Sequence, residues 1–98
     1  MKPSVRLKTH RVEVERILRK YPMISNVRVF GSVSRNEDME GSDLDLYVDA
    51  APGTTLFHLG GLREELAGLL GVSIDIVTSG TNLHEIMKAN LEHDMRPL

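Results

Sequence analysis

Leu7, Val14, Ile17, Leu18 and Tyr21 recur at helical spacing among charged residues, which predicts an amphipathic helix over residues 5–20, ended by Pro22. Val27-Arg28-Val29-Phe30 alternates as a short strand and runs into Gly31-Ser32, a strand-then-turn signal. Residues 32–37 are expected to make a short helix, and the polar stretch 36–42, with Glu37, Asp38 and Glu40, an exposed loop. A second strand is expected from Asp43 to Asp49. Residues 50–55, with Pro52 and Gly53, bring Thr54 or Thr55 to the N-cap of a helix whose stripe is Leu56, Leu59, Leu62, Leu66, Leu69 and Leu70. Gly71 closes that helix, and Gly60-Gly61 inside it imply a kink or a close backbone approach. Val72 to Val77 reads as a third strand and residues 78–81 as a loop. Asn82 with Glu85 resembles a capping pair for a last helix that holds Leu83, Ile86, Met87 and Leu91 on one side.

The resulting order, α β α β α β α, predicts an α/β sandwich with helices packed on a small sheet, as one domain over residues 1–98. Periodicity leaves open whether the strands run parallel or mixed. No apolar run reaches membrane-spanning length, and no apolar stretch follows the basic residues of the first segment as in a secretory signal, so a cytoplasmic protein is expected. The absence of cysteine excludes disulfides, thiolate zinc sites and a cysteine nucleophile. A metal would have to be held by oxygen or imidazole. His10, His58, His84 and His93 lack paired metal spacing and read as surface or helix-flank residues. The net charge of −2 conceals an asymmetry: residues 1–20 hold seven Lys/Arg and two Glu, the rest five Lys/Arg and twelve acids. A solvated helix face accounts for the basic segment, and nucleic acid is not the expected partner.

The acids of the second strand break the rule that strand faces near a core are apolar. Side chains at i and i+2 point the same way, so Asp43 and Asp45 share one face and Leu44, Leu46 and Val48 the other. Two such carboxylates tolerate full ionisation only with water, a basic partner or a cation beside them. D-x-D alone is more simply a solvent-facing edge. In the third strand, however, Ile74 and Ile76 lie on one face and Asp75 on the other, so neighbouring strands would gather three carboxylates on one side of the sheet. Oxygen donors of this kind suit Mg²⁺. Tyr47 shares their parity and reads as a partly buried strand residue before a base-stacking one. Lys88 reads as a solvated lysine, and Met87 and Met95 as core or partner contacts.

Gly31 lets the backbone approach a ligand, and a helix start at Ser32 would offer N–H groups and a hydroxyl to phosphate oxygens, although an ordinary capped turn has the same residues. Arg35 could face that phosphate or pair with Glu37 to Glu40. A phosphate cradle, a metal clamp and a third carboxylate together describe phosphoryl-type transfer.

FGSVSR, then GSDLDLYVD with ten residues between Ser32 and Asp43, then the lone acid of VSIDIVT, resemble the signature of the DNA polymerase β-like nucleotidyltransferases. More closely the chain resembles the minimal nucleotidyltransferases that act as antitoxins to HEPN-domain toxins. The resemblance implies the nucleotidyltransferase fold, a small mixed sheet packed by helices. It implies Asp43, Asp45 and Asp75 as catalytic and Mg²⁺-binding residues, with two ions possible, and Gly31, Ser32, Arg35 and Ser42 as nucleotide-binding ones. The implied reaction moves AMP from ATP to a tyrosine hydroxyl of a HEPN ribonuclease toxin, in a hetero-oligomer whose partner supplies the half of the site that larger relatives build from a second helical domain. HDMRPL at the end matches nothing obvious. A non-catalytic antitoxin that acts by binding alone, or a nucleotidyltransferase of a small molecule or RNA, would share the motif; retention of all three acids favours catalysis.

Overall fold

The computed structural model describes residues 2–35, 37–79 and 95–98. Its elements are α1 (Pro3–Thr9), α2 (Arg11–Arg19), β1 (Ile24–Phe30), β2 (Leu44–Ala50), α3 (Leu56–Leu70), β3 (Ile74–Thr78) and β4 (Arg96–Pro97). The sheet has the order β3-β2-β1-β4 and is mixed: β1 is antiparallel to β2 and β4, and β2 is parallel to β3. The crossover through α3 is what permits the parallel pair. The last expected helix, with Asn82, Glu85 and Lys88, lies outside the described residues.

One apolar layer fills the space between sheet and helices. Leu44, Leu46 and Val48 from β2, Val29 from β1 and Ile74 from β3 meet Val14 of α2 and Leu62, Leu66 and Leu70 of α3, all buried. The stripe on α3 therefore starts later than its sequence suggests: Leu56 is 84% exposed. Thr55 caps α3 with its side chain toward the N3 backbone, and the His58 ring answers by accepting the Thr55 N–H at 3.0 Å. Gly71 ends the helix in the left-handed region, as the sequence predicts.

Several expectations are corrected. The first helix is interrupted at His10 (φ −107°, ψ 25°), where α1 ends and α2 begins. Thr9 bonds back to the Val5 carbonyl at 2.9 Å, a side-chain contact that competes with continuation. Strand β1 begins at Ile24, three residues early, because Asn26 (φ 50°) and a register shift between Ser25 and Arg28 form an irregularity in the ladder. That shift lets both Ile24 and Val29 face the core, which strict alternation over five residues forbids. Strand β3 starts at Ile74 rather than Val72, and β4 has no counterpart in the hydrophobic pattern. Residues 31–35 are turns and not a helix. Among the described residues no helix is long and apolar enough to cross a membrane.

The two adjacent glycines of α3 differ in kind. A Cβ on Gly61 would lie 2.8 Å from the Tyr21 hydroxyl, which donates to Glu65 at 2.6 Å, whereas a Cβ on Gly60 would meet nothing within 4 Å. The close approach implied by the sequence is therefore made at Gly61. Gly60→Ala is expected to stabilise the fold by about 1 kcal/mol through helix propensity, while Gly61→Ala yields no gain because the Tyr21–Glu65 bond must move. Urea unfolding of the two variants measures the difference.

Candidate active site

Strand β1 delivers the chain to one end of the sheet, where Phe30 pairs across β2 with Asp45. Gly31 follows with φ +75°, and a Cβ there would stand 2.5 Å from Oδ2 of Asp45. The missing side chain thus makes room for the carboxylate, and the positive φ excludes most substitutes on its own. The turn behind it is fixed by two bonds: the buried Ser34 hydroxyl donates to the Gly31 carbonyl at 2.7 Å, and the Glu37 N–H donates to the Ser32 carbonyl at 2.8 Å. The Ser34 bond competes with helical continuation and accounts for a turn where a short helix is expected. Half-buried Ser32 has no hydrogen bond to its hydroxyl among the described residues.

The parallel register places Asp45 beside Asp75 and buries Leu44 beside Ile74 and Leu46 near Ile76. Asp45 is partly buried, and Asp43 and Asp75 are exposed. Burial first, then the charges of Asp75 and Asp43 and a hydrogen bond with Asp75, push the Asp45 carboxyl above its ordinary value. Asp49, of the same strand parity, has the opposite environment: hydrogen bonds from Asn26 and Ser79, and the Arg28 guanidinium at 2.7 Å, hold it below the ordinary carboxylate range. Asp49 is thus satisfied by its neighbours and Asp45 is not.

Among the described residues no three carboxylate or imidazole groups are already gathered tightly enough to enclose an ion. The two adjacent carboxylates Asp45 and Asp75, with Asp43 in their field, still fit a hard divalent cation: the donors are all oxygen, and a cation would offset the neighbouring charges that, after burial, raise Asp45. Such an ion would take its remaining oxygens from water or phosphate.

The other candidates have local partners of their own. Ser42 closes the preceding loop, its hydroxyl accepting from the Met39 N–H and its own N–H donating to the Met39 carbonyl, both at 2.9 Å. Arg35 is exposed and pairs with Glu37 at 3.1 Å. Tyr47 is 3% exposed, with the Arg28 guanidinium 4.5 Å from its ring centroid and Phe30 edge-on at 6.5 Å. The structural reading of Tyr47 is the one observed. Two residues escaped the sequence reading. Ser34, two positions past the phosphate candidate, has the buried hydroxyl described above. Asp38, assigned to an exposed loop, is 3% exposed and accepts the Ser4 N–H at 2.9 Å, across 34 residues. A cap contributed from so far along the chain leaves no local signal.

Residues 13–94 match the family described as Polymerase beta, Nucleotidyltransferase. A Methanocaldococcus jannaschii protein provisionally named protein adenylyltransferase MJ1217 is 31% identical over 90 residues, 85% of this chain and 92% of the relative. A solved structure, provisionally described as a minimal nucleotidyltransferase, superposes with a TM-score of 0.78 at 39% identity over 94% of this chain and 95% of the other. The MNT antitoxin complex with the tri-AMPylated HEPN toxin of Shewanella oneidensis shares the fold, with a TM-score of 0.66 at 20% identity over 92% of this chain and 69% of that one. The chain belongs to the polymerase β nucleotidyltransferase family. Its mixed four-stranded sheet with helices on it is the nucleotidyltransferase fold.

Because the folded Asp45 carboxyl titrates above its unfolded value, its ionisation destabilises the fold, an effect absent below that unfolded value and growing as pH rises through the raised one. Asp45→Asn is therefore expected to raise the thermal midpoint at pH 7 without divalent cations, the difference vanishing below about pH 4. Added Mg²⁺ or Mn²⁺ closes the gap by stabilising the parent alone. Gly31→Ala is expected to cost about 1–2 kcal/mol in denaturant unfolding from its φ and to abolish that cation-induced stabilisation by displacing Asp45.

Proposed function

We propose that this protein transfers AMP from ATP to a hydroxyl of a partner protein, a tyrosine of a HEPN-domain ribonuclease toxin, and so acts as the antitoxin of the pair. The observation that carries the reading is the register pairing of Asp45 with Asp75, with the Gly31 backbone against the Asp45 carboxylate. The named relative and the AMPylated toxin complex support the same class of reaction.

Asp43, Asp45 and Asp75 would hold one or two Mg²⁺ ions. When bound, such an ion neutralises phosphate oxygens and favours departure of pyrophosphate. The Gly31 turn, packed against the Asp45 carboxylate and kept in shape by Ser34, is where the triphosphate tail would meet backbone N–H groups and the Ser32 hydroxyl. Ser42 lies at the entry to the acidic strand, and Arg35 at the mouth of the turn. Exposed Asp75 accepts the proton of the incoming hydroxyl. The hydroxyl oxygen forms a bond to the α-phosphorus, the bond from that phosphorus to the bridging oxygen breaks, and pyrophosphate leaves with the electron pair.

With ATP, Mg²⁺ and a HEPN-domain partner protein, intact-mass measurement is expected to show adenylyl groups added to that partner. Asp43→Ala/Asp45→Ala abolishes the addition. A partner that is inhibited yet never modified would instead identify an antitoxin that works by binding alone.

A further inference from the structure

Among the described residues no strand pairs with the outer edge of β3, which runs into the acidic centre. A groove of about 330 Å³ lies between the first half of α3 and β3, lined by Leu56, Leu59, Gly60, Arg63, Ile76 and Asp75 among others. Asp75 thus belongs at once to the carboxylate cluster and to the groove. Leu56, 84% exposed, lines the groove at the start of α3, and Phe57, the next residue along the helix, is 90% exposed. Large apolar side chains so placed mark an interaction surface more often than a solvated one.

Two further observations define what fits. The Leu44 N–H bonds to the Ser73 carbonyl at 2.9 Å and the Ser79 N–H to the Val48 carbonyl at 2.8 Å. In a parallel ladder that parity turns the backbone of Ser73, Asp75 and Val77 toward β2, and that of Ile74 and Ile76 toward the open edge. Consistent with it, the Ile74 carbonyl is met from outside by Nε of Arg63 at 2.9 Å. The Ile76 N–H and C=O are next along the edge, in position for an added strand. Gly60 supplies the second observation. Its cost in a helix, about 1 kcal/mol, is matched by no contact among the described residues, since a Cβ there meets none of them within 4 Å. The gap it leaves opens on the groove.

The geometry points to this edge as the docking strip for the acceptor protein. An extended segment of the acceptor pairs with Ile76, sets an apolar side chain over Leu59 and the Gly60 gap, and carries the reacting hydroxyl to Asp75. An acidic side chain in the same segment meets the terminal nitrogens of Arg63, which no carboxylate engages among the described residues. This assignment rests on the adenylyl-transfer reading. It adds the strip by which the acceptor is selected.

The test uses Phe57→Asp and Gly60→Leu with the HEPN-domain protein as acceptor, and follows amide exchange at Ile76. Both variants are expected to raise KM for the acceptor about tenfold or more, as loss of an interface anchor does, while kcat at saturating acceptor and the affinity for Mg²⁺-ATP hold. The acceptor should protect the Ile76 amide from exchange in the parent and less so in the variants. Unchanged KM with an unprotected Ile76 overturns the assignment and leaves the transfer reading intact. Weakened Mg²⁺-ATP binding in Gly60→Leu overturns it in favour of a nucleotide pocket. Protection of Ile76 that follows this chain's own concentration overturns it in favour of self-association. If the parent transfers no AMP, the functional reading falls, and the strip is judged on the dissociation constant of Phe57→Asp with the same partner and on the Ile76 amide.

Discussion

Asp45 and Asp75 stand side by side because Leu44, Leu46, Val48 and Ile74 bury on the other side of the same two strands. Neither carboxylate is helped by that neighbour: burial first, and then the charges of Asp75 and Asp43, raise the Asp45 carboxyl. The apolar layer imposes it, since a slip of one residue would send every core side chain to the wrong face. The fold thus spends part of its hydrophobic stabilisation on holding two anions together. A bound divalent ion would offset that cost, so on the adenylyl-transfer reading the unfavourable electrostatics of the free protein are what a cation would relieve.

The same constraint accounts for the neighbourhood. Asp45 needs space on its β1 side as well, and Gly31 gives it by having no side chain and by turning the chain away at positive φ. Ser34 then keeps that turn from becoming a helix. Farther along the strand the electrostatics reverse: Asn26, Ser79 and Arg28 satisfy Asp49, and Tyr47 is closed over by Arg28 and Phe30. Acids of one parity on one strand therefore divide into an unsatisfied end and a satisfied end.

What the sequence disclosed followed from what is periodic or local. Alternation in residues 43–49 and 72–77 placed three acids on one face, helical spacing in α3 placed Leu62, Leu66 and Leu70 in the core, and Thr55 and Gly71 marked the helix ends. The mixed sheet came from the family resemblance, since periodicity is blind to strand direction. Misreadings arose where a single nonlocal or side-chain bond decides the backbone. Thr9 back-bonding divides the first helix, the Asn26 irregularity lengthens β1, and Ser34 replaces an expected helix with a turn. Leu56 fits the leucine spacing as well as its neighbours do, yet at the helix start it is 84% exposed and outside the core.

The bond from the Ser4 N–H to Asp38 has a mechanical consequence. It fastens the opening turn of α1 to the segment that leads into the acidic strand, so fraying at the amino end and loosening ahead of Asp43 are one motion. A cargo fused in front of Pro3 would pull on the approach to the acidic strand.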